Sequence, residues 1–196
     1  MSKRIFDLLL SCITLLITLP FYPFIAIAIK IDSKGPTFYT QSRVGHNGST
    51  FNIIKFRTMV TNHNFSSFVT IKNDPRITSS GKFLRRYKID EWPTIINVVK
   101  SEMSFVGPRP EAPKYVALYT KQQKKVLLAK PGITDPATIS YNNEADLMQG
   151  TNDFEKIYVE QILPQKLSLN SKYIENQTFI SDVKIIARTI LLVLKI

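Results

Sequence analysis

Asp90 and Glu91 stand side by side in Ile89-Asp90-Glu91-Trp92-Pro93, with Arg85, Arg86 and Lys88 just before them. Carboxylates ahead of a short apolar helix are ordinary caps, because free N–H groups and the macrodipole favour an anion there. The crowd of cations adds a second reading. They supply charge for a phosphate-rich ligand and are expected to lower the pKa of a nearby carboxylate. Downstream, Pro108-Arg109-Pro110 holds an arginine between two residues of locked φ, which suits bidentate phosphate recognition. Upstream, Lys55 and Arg57 are two residues apart in a β-prone run, hence on one face of an extended chain. On an isolated surface strand such a pair would only solubilise.

Other chemistries are poorly served. His46 and His63 have no Cys, His or carboxylate partner at ligand spacing, so neither supports a zinc site. Carboxylates adjacent in sequence do not naturally flank a glycosidic bond at the separation such pairs need, which disfavours a glycosidase. Asn97 and Glu111 are further polar candidates. Asn97 could equally satisfy helix backbone, and Glu111 could be a surface charge paired with Lys114.

Several elements must position these groups. Phe38–Val44 and Ser49–Arg57 flank an Asn47-Gly48 turn, a strong hairpin signal. Ser and Thr before Gly81–Lys88 are cap candidates for a helix, and Pro93 suits a first helical position, leaving Asp90 and Glu91 just outside. From Ile5 to Ile29 the chain is apolar for 25 residues. Pro20 and Pro23 should bend it near Leu19 to Pro23, giving two arms that are each short for a span of about 30 Å. Basic residues flank both ends (Lys3 and Arg4, Lys30 and Lys34), so the positive-inside rule gives no preference for placing the two ends on opposite faces. A re-entrant hairpin is expected over one kinked spanning helix or a cleaved signal peptide. Asp7 would sit at headgroup depth near the helix N-terminus. Lys114 to Lys130, with five lysines, reads as a basic amphipathic helix for a headgroup surface or for the core, and Asp182 to Ile196 offers the same choice.

The net charge is +11, and residues 1 to 131 carry 20 Lys plus Arg against 7 Asp plus Glu, so the excess belongs to the part with the motifs. It implies an anionic partner: nucleic acid, phospholipid or phosphorylated substrate. No nucleic-acid-binding module is apparent, and a nucleic-acid binder would leave the proline-broken apolar segment unexplained. A lone Cys12 excludes an intramolecular disulfide and agrees with a cytoplasmic setting.

The ordered set KFRTM (Lys55 to Met59), DPRIT (Asp74 to Thr78), G-x-FLRR (Gly81 to Arg86), IDEWP-x-x-x-NV (Ile89 to Val98), E-M-S-F-V-G-PRPE (Glu102 to Glu111) and KPGIT (Lys130 to Thr134) resembles the bacterial sugar transferases, the monotopic phosphoglycosyl transferases. The resemblance extends to the KR-x-FD start and the RVG-x-NG hairpin. It implies transfer of a sugar 1-phosphate from a UDP-sugar to undecaprenyl (polyprenyl) phosphate, with release of UMP. Asp90 would be the nucleophile, forming a covalent phosphosugar intermediate, and Glu91 the ligand of Mg²⁺. Lys55, Arg57, Arg85 and Arg109, with Glu111 and Asn97, would contact phosphates or the intermediate. A carboxylate is a competent phosphoryl acceptor, and a divalent ion would offset diphosphate charge. The chain departs from the family's pattern after Thr134, where Asp135-Pro136-Ala137 and later Tyr141-Asn142-Asn143-Glu144 replace a Gly and an Asn-Gly-Arg run. That bears on substrate identity near the sugar pocket. Trp92 replaces a more usual leucine.

The expected fold is therefore α+β: a re-entrant membrane helix-break-helix over residues 1–34, and a compact, mainly helical catalytic domain over 35–196 with a β-hairpin and interfacial amphipathic helices. The resemblance implies a monotopic protein of the bacterial inner membrane facing the cytoplasm, acting in surface-polysaccharide or glycoconjugate assembly. A homodimer stays open, and a non-catalytic membrane scaffold is the alternative.

Overall fold

The computed structural model describes residues 3–60, 70, 74–142 and 153–194. His63 and the Asn143-Glu144 pair lie outside them. The fold mixes helices with two small sheets.

The apolar N-terminus forms α1 (Lys3–Thr18) and α2 (Tyr22–Asp32), joined by one tight 3-10 turn at Leu19–Phe21. The break falls where Pro20 and Pro23 remove backbone donors. The hydroxyls of Thr14 and Thr18 donate back to the carbonyls of Leu10 and Thr14, at 2.7 and 2.8 Å, a back-bonding that accompanies bent helices. The stretch Lys3–Asp32 is long and apolar enough to cross a membrane by length and composition.

Both ends of this stretch are tied to the same domain. Arg4 donates to the carbonyls of Val98 and Val99 at 2.6 and 2.8 Å, and Lys3 pairs with Asp182. Asp7 is buried and accepts the Phe105 N–H at 3.2 Å, so it anchors the helix instead of resting among headgroups. At the far end, Ile29 packs with Phe56 and Leu84, and Asp32 accepts from the backbone N–H and hydroxyl of Ser80 at 2.7 and 2.8 Å.

The hairpin follows: β1 (Phe38–Val44) pairs antiparallel with β2 (Thr50–Phe56), Val44 opposite Thr50 and Tyr39 opposite Lys55. Asn47 and Gly48 take positive φ in the turn, as their residue types foretell. Helix α3 (Ser79–Arg86) is capped by Thr78, whose hydroxyl accepts the Gly81 N–H at 3.0 Å. A 3-10 turn (Ile89–Thr94) then leads into α4 (Ile95–Val99), so the dyad lies within a helical turn and not merely ahead of one.

A second sheet was not foreseen: β3 (Ser104–Val106) runs parallel to β4 (Gly132–Thr134). Between them lie α5 (Pro113–Val116) and a 3-10 turn (Gln123–Leu128), so Lys114–Lys130 is not one amphipathic helix. Its apolar residues Tyr115, Val116, Tyr119 and Val126 enter the main core with Val44, Ile162 and Leu167. The chain continues through α6 (Pro136–Ser140), α7 (Phe154–Ile157), a π-turn to Ile162, α8 (Leu163–Glu175) and α9 (Phe179–Leu194). Helix α9 packs Asp182 and Ile185 inward and leaves Phe179, Ile180, Val183, Ile190, Leu191 and Leu194 exposed.

Candidate active site

Three segments converge on the dyad. The first is β2, which sends Lys55 towards Glu91. Its edge is held from behind: Asn97 Oδ1 accepts the Ile54 N–H at 3.1 Å, Asn97 Nδ2 donates to the Asn52 carbonyl at 2.8 Å, and Thr94 donates to the Ile54 carbonyl at 2.9 Å. Asn97 thus substitutes for a neighbouring strand, and it also donates to Glu102. It satisfies strand backbone, not helix backbone, and does not reach the site.

The second segment carries the dyad itself. Lys88 ends α3 in the left-handed region (φ 55°, ψ 21°), which reverses the chain into the 3-10 turn. For a residue with a side chain this costs about 1 kcal/mol, so the surrounding packing must hold it. Ile89 and Trp92 pack beside Phe56, Leu84 and Ile29, which turns Asp90 and Glu91 inward.

The third is the Arg109 loop, which links β3 to α5. Here two backbones touch: a Cβ on Gly107 would lie 2.2 Å from the Lys130 carbonyl, and one on Gly132 would lie 2.1 Å from the Gly107 nitrogen. Only glycine at both places lets β3 and β4 approach so closely. Pro108 and Pro110 then stiffen the loop on either side of Arg109.

One Glu91 oxygen accepts from Lys55 Nζ and from an Arg109 terminal nitrogen, each at 2.6 Å. Asp90 is buried too, yet its Oδ1 has no hydrogen-bond partner among the described residues. The neighbours therefore meet opposite fates. Burial raises the Asp90 pKa and the Glu91 charge adds to it, while Lys55, Arg85 and Lys88 pull it down. Burial acts on Glu91 as well, but Arg109 and Lys55 outweigh it and hold Glu91 well below the usual carboxylate range. The expected lowering thus applies to Glu91 and is reversed at Asp90. Desolvation lowers Lys55, opposed by Glu91, and Glu91 raises Arg109.

Arg85 donates Nε to the Thr58 hydroxyl at 2.8 Å and places its charge near Asp90. A small crevice opens beside Glu91, lined by Arg43, Lys55, Arg109, Ile53 and Ile133. Arg43 was not singled out from sequence, although it lies in the RVG stretch of the hairpin. Besides Asn97, two more expected site residues make their contacts elsewhere. Arg57 is buried at the junction with α2, and its terminal nitrogens donate to the carbonyls of Lys34 and Ser33 at 2.5 and 2.8 Å. It lies one residue past β2, with its backbone N–H still donating to the Thr37 carbonyl at 2.9 Å, and its side chain is taken up by the segment that follows α2. Glu111 is no surface charge: it accepts from the Tyr158 hydroxyl at 2.5 Å and faces Arg43 at 3.9 Å, whereas Lys114 pairs with Glu155.

Among the described residues no three His, Cys, Asp or Glu side chains group as a metal cage. The chain's donors nonetheless fit Mg²⁺, which takes one or two carboxylates and completes its sphere with phosphate oxygens and water. Asp90 Oδ1, buried and unpartnered, is such a free donor. The arrangement suits an anionic, phosphate-bearing ligand beside a desolvated carboxylate.

The family described as Bacterial sugar transferase matches residues 1–196, and the chain belongs to it. The resemblance seen in the motifs is borne out. Among its relatives, the undecaprenyl-phosphate glucose phosphotransferase of Komagataeibacter xylinus is 36% identical over 198 residues, covering 97% of this chain and 35% of that protein. The exopolysaccharide production protein ExoY of Rhizobium meliloti is 30% identical over 206 residues, covering 97% of this chain and 84% of that one. The UDP-glucose:undecaprenyl-phosphate glucose-1-phosphate transferase of Escherichia coli is 34% identical over 194 residues, covering 96% and 39%. The chain therefore spans well under half of the two phosphotransferases and most of ExoY.

Proposed function

We propose that this chain moves a sugar 1-phosphate from a UDP-sugar to undecaprenyl phosphate, with Asp90 as the covalent way-station. The observation that carries the reading is the split within the dyad: Glu91 is clamped by Lys55 and Arg109, while Asp90 keeps a buried oxygen free of hydrogen bonds. A carboxylate in cationic surroundings but without its hydration shell is primed to attack phosphorus. The names of the relatives agree, since one is an undecaprenyl-phosphate glucose phosphotransferase and another a UDP-glucose:undecaprenyl-phosphate glucose-1-phosphate transferase.

In the first step an Asp90 carboxylate oxygen bonds to the β-phosphorus, and the bond from that phosphorus to the bridging oxygen breaks. UMP leaves with the electron pair. In the second step an oxygen of polyprenyl phosphate bonds to the same phosphorus and Asp90 departs as a carboxylate. The acceptor is already an anion and needs no general base. Lys55, Arg85 and Arg109 offset the charge of the diphosphate. Glu91, with the free Asp90 oxygen nearby, would hold Mg²⁺, which when bound neutralises phosphate charge.

The membrane reading is a re-entrant hairpin of α1 and α2 in the cytoplasmic leaflet of the bacterial inner membrane. It is supported by the ties at both ends: Lys3, Arg4 and Asp7 on one side and Ile29 and Asp32 on the other bind one and the same domain. A spanning helix would part them by the thickness of the bilayer. The exposed faces of Leu9, Ile13, Leu16 and Ile17 on α1 and of Phe24, Ile27 and Ile31 on α2 supply the apolar surface for lipid. Accessibility labelling of cysteines introduced before Lys3 and after Lys34 should place both on the cytoplasmic side, and opposite sides would sink the hairpin.

The catalytic test is UMP release from a panel of UDP-sugars by detergent-solubilised protein with Mg²⁺ and undecaprenyl phosphate. Wild type should release UMP and carry sugar phosphate on Asp90, while Asp90→Asn does neither. Full activity of Asp90→Asn would remove the nucleophile assignment, and an inert wild type the whole reading.

A further inference from the structure

Asp135 is fully buried at the head of α6. Its Oδ1 accepts the Thr138 backbone N–H, an ordinary helix cap. Its Oδ2 does something else. It accepts the backbone N–H of Arg109 and the side-chain amide of Asn170, each at 2.8 Å, from segments 26 and 35 residues away. A cap needs one oxygen, and Ser or Asn would provide it at no cost in buried charge. The second oxygen and the negative charge thus answer to Arg109 and Asn170.

Arg109 is the residue most in need of such a brace. It reaches Glu91 from a loop, its neighbours Pro108 and Pro110 lack N–H groups, and its own N–H is where a hydrogen bond can fix the peptide plane. Asn170 completes the brace. It is buried on α8, a helix seated in the core by Leu163 and Leu167, so Asp135 is held against a rigid element. The close approach of Gly107 to Gly132 brings β4, and so Asp135, beneath the Arg109 loop.

We propose that Asp135, braced by Asn170, is a positioning residue that fixes the backbone from which the Arg109 guanidinium reaches Glu91. It rests on the role given to Arg109 in phosphate chemistry above. It also couples α8, in a part of the chain without any of the sequence motifs, to the phosphate crevice. A displacement of 1 Å at a reacting centre can cost about a hundredfold in rate, so a modest slackening of this loop is enough to matter.

The test compares Asp135→Ser, which retains a capping oxygen for α6, with Asn170→Ala, which leaves the cap untouched. Each should keep its fold, judged by thermal melting, and lose about tenfold or more in kcat/KM for the donor. In an Arg109→Lys background the same substitutions should cost less than about twofold, because effects that act through one residue do not add. A purely structural lesion would give the same loss in both backgrounds. Wild-type kinetics in either folded variant, or an undiminished loss in the Arg109→Lys background, overturns the proposal. Should wild type release no UMP at all, the functional reading fails on its own, and hydrogen exchange then decides the brace. Faster exchange of the Arg109 amide in Asn170→Ala and Asp135→Ser supports it, and unchanged exchange overturns it.

Discussion

Lys55 near the end of β2 and Arg57 just past it are two residues apart and enter regions with opposite purposes. At the dyad, Lys55 meets a carboxylate that it shares with Arg109, beside a crevice also lined by Arg43, while the neighbouring Asp90 keeps a buried oxygen without a hydrogen bond. At the hairpin junction, Arg57 spends both terminal nitrogens on the carbonyls of Ser33 and Lys34. Arg57 is buried and Lys55 partly so, but the partners, more than the burial, set them apart. Carbonyls consume a guanidinium for structure, whereas a clustered, charge-imbalanced set of ionisable groups leaves work for a substrate.

The largest effect should come from the dyad. Asp90→Asn is expected to cut UMP release by about a thousandfold or more while melting is unaffected, as loss of a covalent nucleophile does. Next is Lys55→Met, with kcat/KM about 10- to 100-fold lower, the size of a lost charge contact in a water-poor site. It should also move the pH profile. Asp90 must be ionised to attack, so activity falls as pH drops through its raised pKa. Lys55 is one of the charges that lower that pKa, and its removal should shift the acidic limb to higher pH. A limb that stays put would mean that Asp90 does not set it.

Arg57→Leu should reverse the pattern. Denaturant unfolding should show a loss of about 2 kcal/mol, from carbonyls left without their charged donor, with kcat nearly unchanged. A catalytic loss without a stability loss would dissolve the distinction between the two regions. Smallest of all, Lys114→Ala should change stability by about 0.5 kcal/mol at most, because its pair with Glu155 is well exposed on both sides.

What could be read from sequence was whatever is encoded locally. The proline break, the Asn47-Gly48 hairpin and the Thr78 cap depend on neighbours in the chain, and each is where it was expected. The carboxylate pair and Arg109 were legible as chemistry because their types and neighbours are unusual. The parallel pairing of β3 and β4 was not, since three-residue strands nearly thirty residues apart leave no periodicity. The glycines at 107 and 132, one in each motif, were the available signal of a close backbone approach. Arg57 was misplaced because its partners, the carbonyls of Ser33 and Lys34, come from the segment after α2, which strand alternation does not reveal. The Lys114–Lys130 segment had the charge and apolar content of a surface helix, but Thr120 and Gln123 close a turn on each other and break it in two. Asp135 showed only as a departure from the family's pattern. Its partners come from distant segments, which spacing cannot reveal.

The tie between Lys3 and Asp182 also constrains how the molecule is made. Protein synthesis runs from the N-terminus, so α1 and α2 emerge while none of their polar anchors exists. Arg4 must wait for Val98, Asp7 for Phe105, and Lys3 for a residue 179 positions later. During that interval none of these contacts holds the two apolar helices. The Lys3–Asp182 pair is a latch that can shut only when α9 has been made.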